Sequence, residues 1–160
     1  MKNESITIKN LESAFAGESM AHIKYLYFAR VCRNLGDETT AKVFEDTAAQ
    51  EVQHAFGHAD LLFPQANLSV EKCLQLAIEG ETYEYTEMYP SFKNAAIKEG
   101  NEQASKEFSE QIAESRGHAA EFQKVLDKAA RRFHALAKVE ERHANQYQKT
   151  LDDVSVGGKS

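Results

Sequence analysis

Apolar residues along this chain recur at alternating steps of three and four, the spacing that lines one face of an α-helix. Leu11, Phe15, Glu18, His22 and Tyr25 make one such stripe, and Leu74, Ala77, Glu81, Glu84 and Met88 make another. Val43, Thr47, His54 and Leu61 give a third, and Leu136, Glu140, His143, Tyr147 and Leu151 a fourth. Between the stripes stand residues that end or begin helices. Gly36 suits a left-handed helix end, Asp37 and Ser69 can cap the helices that follow, and Pro64 stops the second segment. Gly100 and Asn101 close the third. The pattern predicts helices over residues 5–35, 38–63 and 69–98, the last bent at Pro90, then helical composition over 102–153. No strand-like alternation competes. The expected fold is all-α: an antiparallel four-helix bundle with an additional C-terminal helical segment, residues 1–153 forming the domain and 154–160 a flexible tail.

The additional segment carries a repeat. The stretch from Ser105, SKEFSEQIAESRGHAAEFQKVL, resembles that from Ala130, ARRFHALAKVEERHANQYQKTL. Phe108 aligns with Phe133, His118 with His143, Phe122 with Tyr147 and Leu126 with Leu151, but Ser115 stands opposite Glu140. The offset of 25 residues is close to seven turns at about 3.6 residues each, so a continuous helix would keep both copies on one face. Such a helix would carry Glu140 roughly 37 Å past the first copy. That length permits a helix-swapped dimer, in which the final segment completes a partner's bundle; a protruding hairpin is the other arrangement.

Near the middle of each stripe a carboxylate occupies a core position. A buried ionised carboxylate without a partner is strongly destabilising. Four helices placing Glu in one layer require cations among them. Glu51/His54 and Glu140/His143 are Glu-x-x-His pairs that put both side chains on one helical face. Two such pairs, plus a Glu from each of two other helices, make up the di-metal site of carboxylate helix bundles. A lone pair of this kind is usually a solvated surface feature; two pairs with Glu18 and Glu81 or Glu84 on apolar stripes point to metal. His22, His58 and His134 are read as supporting or surface residues.

Composition narrows the classes. With 8 Gly and 2 Pro in 160 residues the chain favours long helices in one domain. A formal charge of −6 and the lack of clustered Lys/Arg argue against nucleic acid as a partner. No apolar run is long enough for a membrane span, and MKNESITIKN has no signal-peptide core. Cys32 and Cys73 stand singly, so free thiols in a reducing cytoplasm are expected.

At these residues the sequence resembles rubrerythrins, a family of ferritin-like di-iron proteins. The matching stretches are AFAGESMAHIKYLYFA from Ala14, AAQEVQHA from Ala48, AIEGETYEYTEMYPSF from Ala77 and FHALAKVEERHANQY from Phe133. The resemblance implies a centre of two iron ions; a carboxylate-rich site also admits manganese or mixed occupancy, depending partly on availability. It implies Glu18, Glu51, Glu81, Glu84 and Glu140 as carboxylate ligands and His54 and His143 as imidazole ligands. Tyr25 and Tyr89 match tyrosines beside the family's metal site. One iron of the family moves between a carboxylate and a histidine on redox change, and Glu84 and His54 match that pair. The implied activity is reduction of hydrogen peroxide to water in oxidative-stress defence; ferritin-like iron oxidation and storage, or O₂ reduction, is the alternative.

Two departures matter. Rubrerythrins typically carry a rubredoxin-like domain with two C-x-x-C pairs; these 160 residues hold no such pair, so an external donor such as a rubredoxin-like protein is expected. The distance from Glu84 to Glu140 also exceeds the family's common spacing by about one repeat. An ungapped match places Ser115 and His118 at the ligand positions, with the carboxylate lost or displaced to Glu114. The Glu140/His143 copy is preferred because it alone has the complete pair. A homodimer is the expected assembly.

Overall fold

A computed structural model describes residues 5–157; for residue 134 and residues 153–157 it describes the backbone alone. The helices are α1 (Ile6–Asn34), α2 (Glu38–Leu62), α3 (Val70–Tyr83), α4 (Tyr89–Lys98) and α5 (Glu102–Gly157). A short 3₁₀ turn, Gln65–Asn67, follows Pro64, and a π turn, Glu84–Met88, joins α3 to α4. No strand occurs among the described residues, so the all-α expectation is met. The helix does not stop at 153. It continues to Gly157, and residues 158–160 lie outside the described residues.

The chain divides into two compact units, residues 1–68 and 69–160. The first is the α1/α2 hairpin. Its turn is built as the sequence dictates: Gly36 takes φ +85°, its N–H bonds to the Arg33 carbonyl, and the Asp37 N–H bonds to the Cys32 carbonyl at 2.9 Å. The Asp37 carboxylate then accepts from the Thr40 N–H at 2.9 Å and starts α2. Arg33 spans the turn, donating to both Glu38 oxygens at 2.8 and 2.9 Å. It also pairs with Glu45 at 3.0 Å.

The covered face of α1 follows the expected stripe, with Leu11, Phe15, Glu18, His22 and Tyr25 half-buried and Ala29 buried. The covered face of α2 does not. Val43 and Leu61 are exposed, and the seam is Ala41, Ala48 and Ala55, seven residues apart and nearly inaccessible. Alanines let the two backbones approach closely, which large side chains at those positions would prevent.

In the second unit α3, the π turn and α4 pack antiparallel to α5. As residue numbers fall from Phe92 through Glu84 to Glu81, their partners on α5 rise from Phe108 through Ser115 to His118. Ser69 caps α3 through the Lys72 N–H and Asn101 caps α5 through the Ala104 N–H, both at 3.0 Å. The bend expected at Pro90 is realised as the π turn just before it. Proline has no N–H and its ring clashes with the carbonyl four residues back, so the wider turn at 84–88 absorbs the misfit. Through Gly117, α5 runs unbroken for 56 residues. A single mid-helix glycine costs only about 1 kcal/mol, too little to stop it.

Candidate metal centre

Metal-ligand chemistry converges in the first unit where the alanine seam brings α1 against α2. Glu18 of α1 and Glu51 and His54 of α2 each offer an atom, all within 4.8 Å of one another. Glu18 and Glu51 are half-buried and His54 is exposed. His54 Nδ1 lies 2.9 Å from Glu51 Oε2, the one-turn geometry expected of the Glu-x-x-His pair. One turn beyond Glu18, His22 Nδ1 sits 2.7 Å from the Ala48 carbonyl. A carbonyl only accepts, so Nδ1 carries the proton and the ring ties α1 to α2 beside the cluster. Tyr25 packs on Phe44 at 5.9 Å between ring centres. His58 is half-buried on α2, and the side chain of His134 lies outside the described residues.

In the second unit Glu81 and Glu84 face α5. Ser115, 3% exposed, donates its hydroxyl to Glu84 Oε2 at 2.8 Å. His118 Nδ1 is 3.4 Å from Glu81 Oε1. The other oxygen of Glu81 is buried and has no hydrogen-bond partner among the described residues. Buried acceptors in native proteins are nearly always satisfied, so an orphaned carboxylate oxygen is the feature a cation would complete. The donor set of both units, oxygen and imidazole nitrogen, suits iron or manganese. Tyr89 lies in an aromatic cluster with Phe92 and Phe108, at 6.3 and 6.2 Å. Burial first, and then the negative charge of Glu84 and Glu81, push its phenol above the ordinary value.

Within the second unit, Glu140 and His143 do not meet Glu81 and Glu84. Ser115 and His118 of the first repeat copy do, because α5 stays continuous and each residue advances the helix by about 1.5 Å. Glu140 and His143 sit on an exposed stretch of α5, with His143 Nδ1 3.9 Å from Glu140 Oε2. Two features were not anticipated from sequence. The alanine seam had a signal, the seven-residue spacing on α2; the π turn that begins at Glu84 had only Pro90.

Comparison with known proteins points to one family. A family model described as rubrerythrin matches residues 9–126. Nigerythrin of Nitratidesulfovibrio vulgaris is 37% identical over 68% of this chain and 60% of its own length. Rubrerythrin of Porphyromonas gingivalis is 34% identical over 96% of this chain and 70% of its own. The chain thus spans 60% and 70% of the lengths of these two relatives. A solved structure of nigerythrin, in its fully reduced all-ferrous state, aligns with a TM-score of 0.40 at 31% identity, covering 80% of this chain and 70% of that one.

Proposed function

The chain belongs to the rubrerythrin family, and from that premise we propose that it is a di-iron oxidoreductase that reduces hydrogen peroxide to water with electrons from an external donor such as a rubredoxin-like protein. The observation that carries this reading is the convergence of Glu18, Glu51 and His54 to within 4.8 Å. The orphaned Glu81 oxygen adds to it. The ligands proposed for the two irons are Glu18, Glu51, His54, Glu81 and Glu84. His118 joins them in the position for which His143 was expected, a choice supported by its 3.4 Å approach to Glu81.

Two bound ferrous ions would supply together the two electrons that, with two protons, convert one peroxide into two waters. The chain's own residues do the rest. Four carboxylates and the imidazoles would hold the ions, with Glu84 and His54 proposed as alternative ligands of one of them. Burial and nearby carboxylates oppose ionisation of the Tyr89 phenol, which favours its protonated form at Oη. It can therefore donate a hydrogen bond without being consumed as an acid. Tyr25, fixed against Phe44, is proposed for the same service.

A homodimer is part of this reading, with a swap of helices between copies as one form of it. It is supported by the exposed stripe of α5, Phe133, Leu136, Tyr147 and Leu151, which carries Glu140 and His143 and requires cover in solution. A cytoplasmic setting is likewise proposed, supported by the free thiols of Cys32 and Cys73. No helix among the described residues is long and apolar enough to cross a membrane.

The test is stopped-flow oxidation of anaerobically reduced, iron-loaded protein by hydrogen peroxide and, separately, by O₂, with iron counted on the same sample. About two irons per chain and much faster reaction with peroxide are expected. A clear preference for O₂ would replace the peroxidase with an oxidase or iron-storage role, and absence of bound iron would overturn the metal centre.

A further inference from the structure

Where a Glu-x-x-His pair would present a carboxylate to α3, this chain presents a hydroxyl. Ser115 is 3% exposed and donates to Glu84 Oε2 at 2.8 Å. His118, three residues on, approaches Glu81. The second repeat copy has Glu140 and His143 at the corresponding places. The segment facing α3 therefore keeps the spacing of the pair and drops one negative charge.

We propose that Ser115 sets the charge balance of the metal centre in favour of its divalent state. The inference rests on the di-iron reading above. In the second unit Glu81 and Glu84 contribute two negative charges, and neither the Ser115 hydroxyl nor a neutral His118 imidazole adds another. Oxidation of bound ions would add positive charge, and a hydroxyl at 115 offsets none of it. Unbalanced charge is unfavourable even in a partly buried site, where the effective dielectric is below that of water. A carboxylate at 115 would offset part of that charge.

The hydrogen bond acts in the same direction. A donor on a carboxylate oxygen takes up part of its charge, so Glu84 Oε2 becomes a weaker ligand for a trivalent ion. Ser115 is a positioning and potential-setting residue, acting partly through Glu84. The centre is then readily re-reduced, and divalent ions are its preferred occupants. A plain packing role, like that of buried Ala119 one turn on, makes a different forecast. Charge at 115 would then alter stability alone and leave the redox midpoint where it was.

The experiment is anaerobic potentiometric titration of the full iron-loaded chain, with iron content and circular dichroism recorded on each sample. Ser115→Asp and Ser115→Asn are nearly equal in size and differ by one charge. Ser115→Glu, whose longer side chain can reach a bound ion, is the further variant. The expected result is a lower midpoint for the charged variants than for Ser115→Asn, with wild type close to the Asn form. Equal midpoints in iron-loaded Asp, Glu and Asn variants would overturn this inference and leave the di-iron reading standing. A wild-type chain that binds no iron would overturn that reading, and this one with it.

Discussion

Replacing Ala48 with leucine tests whether the alanine seam sets the ligand spacing in the first unit. Ala48 is 0% exposed, and its carbonyl receives the His22 ring at 2.7 Å. Leucine adds three carbons where there is no room. Overpacking of this kind costs about 1–3 kcal/mol. For a chain of this size each kcal/mol lowers the melting temperature by about 2–4 °C, so a fall of roughly 2–12 °C is expected. The structural consequence is larger. Helix axes range from about 8 Å apart at small-residue contacts to about 10 Å at large ones, so α1 would move away by up to about 2 Å. Metal bonds to carboxylate and imidazole are themselves only about 2 Å long. Such a shift takes Glu18 out of reach of an ion held by Glu51 and His54. Calorimetric titration with zinc, a redox-silent probe of the same ligands, should show affinity lower by at least about tenfold, or ~1.4 kcal/mol. Ala48→Gly is the control: it loses about 1 kcal/mol of helix propensity but keeps the close approach, so zinc affinity should hold. If Ala48→Leu melts lower yet binds zinc as tightly as wild type, the seam does not position the ligands.

Glu18→Ala leaves only Glu51 and His54 in the cluster, and zinc affinity should fall by more than the roughly 10–100-fold typical of losing an outer partner; an unchanged isotherm would refute the three-ligand grouping. Gly36→Ala places a side chain at φ +85° and should cost about 1–2 kcal/mol in urea denaturation. Gly17→Ala, mid-helix with open space around it, should stabilise by up to about 1 kcal/mol, so matching effects at the two sites would argue against the left-handed turn. The Tyr89 phenol is raised in the folded chain, so its contribution to stability is intact below tyrosine's ordinary value of about 10 and is lost as pH climbs through the folded value. Tyr89→Phe should therefore lose less stability than wild type between neutral and strongly alkaline pH, and equal losses would count against the assignment.

The helices and their ends were legible in the sequence because both are local. A stripe at three-and-four spacing needs one buried face, and Gly36, Asp37, Ser69, Gly100 and Asn101 act within a turn of where they stand. The unusual placing of carboxylates was legible too, since Glu18, Glu51, Glu81 and Glu84 are half-buried at positions where apolar residues are the rule. Tertiary structure decided what depends on contact between segments. Which face of α2 is covered could not be read from hydrophobicity, because the close approach of α1 selects Ala41, Ala48 and Ala55 over the larger Val43 and Leu61. Which repeat copy meets α3 could not be read from the completeness of its motif. It depends on where α5 starts after Asn101 and on its running straight through Gly117, a matter of helix rise and register that brings Ser115 and His118 to Glu84 and Glu81 and carries Glu140 and His143 past them.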